Sequence, residues 1–464
     1  MRPGIELRGK RVLVVGLART GVATALFCAA RGARVTASDS RSSAQLGEIV
    51  DRLRQAGCAL ELGGHTNATF LAQDLVVPSP GVPATLPALV AAREAGIPIW
   101  SEIDLASRFL RGRLVAITGS NGKTTTTSLV AHILMGAGIP VIVAGNIGTP
   151  LISRIEDSTD HSVTVAEVSS FQLELIDSFR PDIAVLLNLT PDHLDRHASF
   201  EDYCRAKVRL FKNQTERDFA VLNADDPVVA RHAPPRPRLC WFSRMRRVAF
   251  GASLRDGRIV FRDECGETQL LERSDISLRG EHNVENVLAA VSAARLAGAS
   301  PSAIAGGVRS FPGVEHRLEF VAEIGGVQFF NDSKATNVDA TLKALGAFAG
   351  GLLVILGGKD KGSDYAPLIE PLRQRSRLVL LIGAAAEKIE AQLGAGVPTV
   401  RAGTLDRALT LAWERAQPGD TVLLAPACAS FDQFENFEHR GRVFKQLVHA
   451  LDISHAAAGP ARKE

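Results

Sequence analysis

A strand that runs straight into a glycine-rich turn and then a helix leaves a chain few folds to choose from. Leu114–Thr118 reads as such a strand, Gly119-Ser120-Asn121-Gly122-Lys123-Thr124-Thr125 follows at once, and a helix is expected from about Lys123 to Met135. Glycines let the backbone turn its N–H groups toward phosphate oxygens, and the helix N-terminus adds partial positive charge. The lysine neutralises β/γ-phosphates and Thr124 can hold Mg²⁺. The usual spacing would put glycine at position 117, where this chain has Ile117, so the loop is a shortened variant. It predicts an ATP site.

The same alternation recurs along the 464 residues, a length that suggests about three domains. Arg11–Val15, Ala33–Ala37, Leu75–Val77 and a short run begun by Pro98-Ile99-Trp100 form a first series, with a helix from about Thr20 to Arg31. Val141–Val143, Val163–Ala166, Ile183–Leu189 and Ala220–Asn223 extend the second series, and a more antiparallel-looking patch spans Leu239–Leu278. Val327–Phe330, Leu352–Leu356, Leu378–Ile382 and Thr421–Leu424 make a third. Strand–helix–strand units of this length imply parallel sheets with crossover helices. The fold class is therefore α/β in three domains: 1–111, Rossmann-like; 112–312, a P-loop ATPase-type unit; and 313–464, Rossmann-like again.

Composition narrows the partners. A net charge of +3 argues against a nucleic-acid-coating protein. No signal-peptide pattern and no apolar run of membrane-spanning length is present, and the six cysteines form no CxxC pair, so a cytoplasmic protein without zinc or structural disulfides is expected. Of 53 basic residues only 11 are lysine, which makes each lysine in a motif worth following.

Three further positions carry chemistry. Glu167 ends the strand Val163–Ala166, where a magnesium-binding carboxylate belongs, although strand ends also carry solvated acids. His193, in Thr190-Pro191-Asp192-His193-Leu194-Asp195, is read either as a loop hydrogen-bonder or as a metal ligand. Lys207 shares a helix face with Tyr203, Cys204, Leu210 and Phe211, and by periodicity alone it is a lysine snorkelling from an apolar face.

Taken together, Gly119–Thr125, Glu167-Val168-Ser169-Ser170-Phe171-Gln172-Leu173-Glu174 and Asp192-His193-Leu194-Asp195-Arg196 resemble the central domain of the Mur ligases, ATP-dependent amide ligases of bacterial cell-wall precursor synthesis. Gly313–Glu319, Asn331-Asp332-Ser333-Lys334-Ala335-Thr336-Asn337 and Pro426–Phe434 resemble the D-glutamate-adding branch, and the likeness runs from Gly9 to about Gln446. It implies that ATP phosphorylates the carboxylate of UDP-N-acetylmuramoyl-L-alanine and that the amine of D-glutamate displaces the phosphate through a tetrahedral intermediate.

By the same resemblance, Gly119, Ser120, Asn121, Gly122, Lys123, Thr124 and Thr125 hold ATP. Asn283 and Asn286 contact adenine, and Arg317, Asp332 and Lys334 complete the nucleotide site; helix capping would explain Asn283 equally well. Lys123, His193 and Lys207 are the implied catalytic residues. Thr124, Glu167, His193 and a carbamate on Lys207, formed from CO₂, are the implied ligands of two Mg²⁺ ions. Arg19, Thr20, Asp39, Ser40, Arg41, Ser79, Pro80, Gly81 and Asn146 are implied for the UDP-substrate. Thr336, Lys361, Ser430 and Phe437 are implied for glutamate, with Lys359 a rival to Lys361. A monomer without nucleic-acid partner or membrane insertion is expected.

Three other readings compete. Gly16-Leu17-Ala18-Arg19-Thr20-Gly21 with Asp39 could belong to a nicotinamide-dependent oxidoreductase, but Ala18 replaces the middle glycine and the lysine loop is left unexplained. A P-loop switch or motor would not need the separate N-terminal nucleotide domain. A folate-glutamylating ligase shares the central domain but not the N-terminal domain or Ser430–Phe437.

Overall fold

The computed structural model describes residues 4–193 and 196–458, so Leu194 and Asp195 of the histidine motif, and the outer ends of the first and last expected domains, lie outside the described residues. Three sheets carry the chain. The first is parallel throughout, in the order Ala59–Leu62, Arg34–Asp39, Arg11–Val15, Leu75–Pro78. The second has nine strands, with Arg113–Thr118 between Val163–Glu167 and Ile183–Leu186, and Val141–Gly145 at the edge. The third has six, in the order Glu319–Ile324, Val327–Asn331, Thr421–Leu424, Leu352–Gly357, Ser376–Ile382, Thr399–Gly403.

Central strands such as Arg113–Thr118 and Leu352–Gly357 are almost continuously buried, as helices on both faces of a parallel sheet require. That explains why they were legible as unbroken apolar runs. The expected strand at Pro98–Trp100 is only an isolated bridge from Ile99 to Val76, because the next helix, Glu102–Ser107, already begins after Ser101. The strand expected over Ile183–Leu189 stops at Leu186, where Leu187 bonds to Thr118 and the chain turns toward the phosphate loop. In the Leu239–Leu278 patch, Arg238–Ser243 and Gly251–Arg255 pair in parallel, and only then do two antiparallel pairings follow, through Arg258–Asp263 to Gly266–Glu272.

Each sheet falls inside one of the three expected segments, yet the chain packs as two compact units. One comprises Met1–Ile276 with Val284–Phe311, and the other Ser277–Asn283 with Pro312–Glu464. The first two segments merge because one core runs through both, from Leu7 and Val12 to Ile103, Leu151 and Phe179. Among the described residues no helix is long and apolar enough to cross a membrane.

One rule places every candidate site. Ligands of open parallel sheets bind beyond the carboxyl ends of the strands, and adjacent strands deliver their following loops to the same edge. In the first sheet these loops start at Gly16, Ser40 and Ser79; in the second at Gly119, Leu187, Val168 and Asn146; in the third at Asp332, Ala425 and Gly358.

Candidate active site

The phosphate loop is held rigidly. Gly122 adopts φ +83°, which favours glycine, and a Cβ there would lie 2.1 Å from Asn286 Oδ1 and would have to displace that side chain. Ser120 N donates to Asn188 O at 3.0 Å and Asn121 N to Asn188 Oδ1 at 2.8 Å, while Asn188 Nδ2 donates back to Asn121 O at 3.1 Å. The Ser120 hydroxyl donates to Thr190 O and accepts from Thr190 N and from the Tyr203 phenol at 3.0 Å. Lys123 Nζ donates to Gly119 O and Ser120 O, both at 2.8 Å. The helix Lys123–Gly136 has no side-chain cap, so its first N–H groups face the loop, the arrangement an anionic phosphate fits.

Glu167 links this loop to its neighbours. It is buried at its strand end; Oε2 accepts from Thr124 Oγ1 at 2.8 Å and Oε1 from Asn146 Nδ2 at 2.7 Å. Thr124, Glu167 and Asn146, read from separate motifs, therefore meet. His193 sits on the adjoining loop with φ +53°, half exposed, its ring 5.0 Å from Phe171 and 6.4 Å from Tyr203.

Lys207 does not snorkel. It lies on the helix Phe200–Val208 and is 2 % exposed, because the helix turns this face into the sheet rather than along the surface. Its Nζ donates to Gly119 O at 2.9 Å and lies 4.7 Å from the Tyr203 ring centroid. Burial, reinforced by the Lys123 cation, holds its pKa well below the usual lysine value, against the opposing pull of Asp192 and Glu167. A neutral amine is therefore accessible. His197 is lowered in the same way, by burial and by His193, Lys207 and Arg196.

Among the described residues no three His, Cys, Asp or Glu side chains converge as a ready-made metal cage. The oxygen donors present, the Thr124 hydroxyl and the buried Glu167 carboxylate, suit Mg²⁺, which prefers oxygen ligands and takes many of them from substrate phosphates and water.

At the first sheet, Gly16 has φ +83° and Gly21 packs so closely that a Cβ would stand 1.8 Å from Gly16 O. Ser79 Oγ donates to Gly16 O at 2.6 Å. Asp39 accepts from Leu17 N at 2.6 Å and from Arg41 N, Nε and Nη2 at 2.9, 3.0 and 2.8 Å. Burial alone would raise its carboxyl, but the Arg41 side chain and the two backbone N–H groups bring it down to about 2. Arg19 donates to Gly148 O and Arg196 to Gly81 O, tying this edge to the second sheet's loops. Thr20, Ser40 and Pro80 belong to the same turns.

The second compact unit gathers the rest. Asp332 is buried, which pushes its carboxyl up to about 7 against the pull of Arg317, and it accepts from Leu318 N at 3.3 Å. Lys334 Nζ lies 3.8 Å from the Phe437 ring centroid. The Lys359 backbone pairs with Ala429, next to buried Ser430, while Lys361 is exposed two residues on, after Asp360, in the same loop. Thr336 follows in the Asp332 loop, its N–H on Lys334 O. Asn283 does not cap its helix: it lies inside the first turn and donates from Nδ2 to Arg279 O at 2.7 Å. Asn286, in the first unit, stands against Gly122 and accepts from Thr126 Oγ1 at 3.5 Å.

Sequence reasoning passed over Asn188, Asp192 and the Tyr203 phenol. Asn188 carried a usable signal, a polar residue just past the carboxyl end of an apolar parallel strand; Tyr203 carried none beyond sharing a face with Lys207.

The chain matches the Mur ligase middle domain over residues 117–294, the Mur ligase glutamate ligase domain over 316–428 and the MurD-like N-terminal domain of Mur ligases over 10–101. It is 57 % identical over 449 residues to a UDP-N-acetylmuramoylalanine--D-glutamate ligase of Acidobacterium capsulatum, covering 96 % of this chain and 97 % of that protein. To the ligase of the same name from Koribacter versatilis it is 53 % identical over 448 residues, covering 96 % and 99 %. A crystal structure of MurF ligase from Thermotoga maritima in complex with ADP shares the fold, with a TM-score of 0.61 at 18 % identity over 97 % of this chain and 98 % of that one.

Proposed function

The chain belongs to the Mur ligase family, and from that premise we propose that it joins D-glutamate to UDP-N-acetylmuramoyl-L-alanine with cleavage of ATP to ADP and phosphate. The observation that carries the reading is the buried, cation-flanked Lys207 amine against the phosphate loop, in a chain that also presents the paired Thr124 and Glu167.

A carboxylate is a poor acyl donor because its leaving group would be oxide. Transfer of the γ-phosphoryl group to a carboxylate oxygen of the L-alanyl end gives an acyl phosphate and ADP. The D-glutamate amine adds to the carbonyl carbon, loses a proton, and the tetrahedral intermediate expels phosphate to leave the amide. Lys123 and the loop N–H groups hold the transferring phosphoryl group, and their preorganised positive charge stabilises the charge that develops on it. Thr124, Glu167, His193 and a carbamate on Lys207 would hold two magnesium ions, which when bound supply Lewis-acid neutralisation of the phosphoryl oxygens. Lysine suits the carbamate role because its amine loses its proton when buried; the guanidinium of arginine does not.

Asn283, Asn286, Arg317, Asp332 and Lys334 take the rest of ATP in this reading. Arg19, Thr20, Asp39, Ser40, Arg41, Ser79, Pro80, Gly81 and Asn146 take the UDP-muramoyl part. Thr336, Ser430, Phe437 and Lys361 or Lys359 take glutamate. Three functional domains follow, 1–111 for the UDP-substrate, 112–312 for ATP and 313–464 for the amino acid. A monomer working in the cytoplasm, with neither nucleic acid nor membrane insertion, completes the proposal.

The oxidoreductase alternative is not supported: it leaves the lysine loop unexplained, and the family matches account for all three domains. Phosphate release measured with ATP, UDP-N-acetylmuramoyl-L-alanine and D-glutamate, each omitted in turn, tests the function. Release that requires all three is expected; ATPase activity indifferent to both acceptors would sink the ligase reading.

A further inference from the structure

One buried carboxylate has no part in the chemistry above. Glu102 is 1 % exposed and opens the helix Glu102–Ser107, in the link between the first and second sheets. Its Oε1 accepts from Ile152 N at 2.6 Å, in the first turn of the 3₁₀ segment Leu151–Asp157. Such N–H groups need an acceptor, and Pro150, at the N-cap position, supplies no side-chain bond. A residue about fifty positions earlier in the chain supplies it instead.

The surroundings say what this clasp connects. Two residues before Glu102, Trp100 N donates to Val76 O, on the strand that leads to Ser79-Pro80-Gly81, and Ser79 holds the Gly16 turn. On the other side, the turn that Glu102 holds is the continuation of Gly145–Pro150. That loop is fixed at its start by Asn146, whose N–H and side chain both bind Glu167, and in its middle by Arg19 on Gly148 O. Glu102 fixes its far end. Asp104, two residues along, separately grips the loop that precedes the strand Ile183–Leu186, through the N–H groups of Asp177, Ser178 and Phe179 at 2.5 to 2.9 Å.

We propose that Glu102 is a positioning residue that sets the span between the uridine-diphosphate loops of the first sheet and the Asn146 loop of the second, and so delivers the alanyl carboxylate of a long substrate to the phosphate loop. This rests on the ligase reading. The arrangement is costly, since Oε2 has no hydrogen-bond partner among the described residues. Burial accordingly pushes the carboxyl up to about 7. What the position uses is reach and one accepting oxygen rather than charge, and the variants separate these.

The experiment compares full-length wild type with E102Q, E102D and E102A, by steady-state kinetics in each of the three substrates and by calorimetry with UDP and with UDP-N-acetylmuramoyl-L-alanine. Glutamine keeps the oxygen at the same reach and restores most of the activity lost in E102A. Aspartate keeps the charge but withdraws the oxygen by one methylene. E102D is expected to raise KM for the UDP-muramoyl substrate and lower kcat, by about tenfold to a hundredfold in kcat/KM, with KM for ATP and affinity for UDP alone held within about twofold. Equal loss in E102Q and E102D would overturn the proposal, and so would a loss shared equally by all three substrates or by UDP alone. If E102A does not fold, the Gln and Asp pair decides. Wild type that fails to turn over the three substrates counts against the ligase reading, whereas active wild type with indifferent variants counts against the role of Glu102 alone.

Discussion

The turn after Arg11–Val15 and the turn after Arg113–Thr118 use the same backbone device for opposite electrostatics. Gly16 and Gly122 share φ +83°, and each turn leads into a helix with no side-chain cap, Arg19–Ala30 and Lys123–Gly136. Behind the first stands a carboxylate, Asp39, bonded to Leu17 N within the turn. Behind the second stand two lysines, Lys123 and Lys207, both bonded to Gly119 O. An anion at the turn's back spends part of its positive potential and leaves a site suited to holding a pyrophosphate in place. The Lys123 cation raises that potential where phosphoryl charge must be stabilised during transfer, and Lys207, as the proposed carbamate, would add to it through the metal it holds. In the proposed reading the glycine turn holds phosphate, and the groups behind it decide whether chemistry follows.

Lys207→Ala tests that contrast most severely. Turnover should fall by about a thousandfold or more, since a phosphoryl site deprived of its second metal ligand loses several kcal/mol of charge stabilisation. Affinity for UDP-N-acetylmuramoyl-L-alanine, measured calorimetrically, should be little changed. Short carboxylates such as formate or acetate should restore part of the rate by replacing the carbamate oxygens. Absence of rescue, together with no added carboxyl on wild-type Lys207 in a crystallographic map, would remove the carbamate and leave Lys207 as a buried amine bonded to Gly119 O.

The two turns should also differ in how they tolerate a methyl group. A Cβ on Gly21 would stand 1.8 Å from the Gly16 carbonyl oxygen, a backbone atom that cannot step aside, whereas one on Gly122 meets the end of the Asn286 side chain at 2.1 Å. Gly122→Ala should cost about 1–3 kcal/mol of stability from its positive φ, with weaker ATP binding. Gly21→Ala should cost more, and should weaken UDP-substrate binding while sparing ATP. Melting temperatures and ligand-induced shifts for the two variants check this; equal shifts with both ligands would mean that the turns do not act separately.

What could be read in advance, and what could not, divides by the distance over which residues act. Gly119–Thr125 and Glu167 were legible because the chemistry fixes residue type at the carboxyl end of a strand. The central strands were legible because burial on both faces leaves an unbroken apolar run. The edge strands Ala59–Leu62 and Thr399–Gly403 escaped, since one side of each is half exposed and its pattern resembles a loop. Asn188 on Asn121, Tyr203 on Ser120 and Glu102 on Ile152 escaped for another reason: partners 50 to 83 residues apart meet only once the sheets have formed. Lys207 shows both limits. Its helical face was correct, but periodicity could not say whether that face met solvent or a phosphate loop.

The smallest expected effect lies at the anion behind the first turn. Asp39→Asn keeps an acceptor for Leu17 N but loses the ion pair with Arg41, so KM for the UDP-substrate should rise modestly, by less than about tenfold, with kcat nearly unchanged. Its pH signature is more diagnostic than its size. The Asp39 carboxyl stands at about 2 in the folded chain against an ordinary 3.8, so the stability it contributes is fully present above the ordinary value and is lost as pH falls through about 2. Wild type should therefore be more stable than the variant by a constant margin above about pH 5, and that margin should shrink steadily toward pH 2. Urea midpoints measured across this range read the margin directly. A margin that does not change with pH would mean that Asp39 holds its turn by hydrogen-bond geometry alone, and that charge is not what separates the first glycine turn from the second.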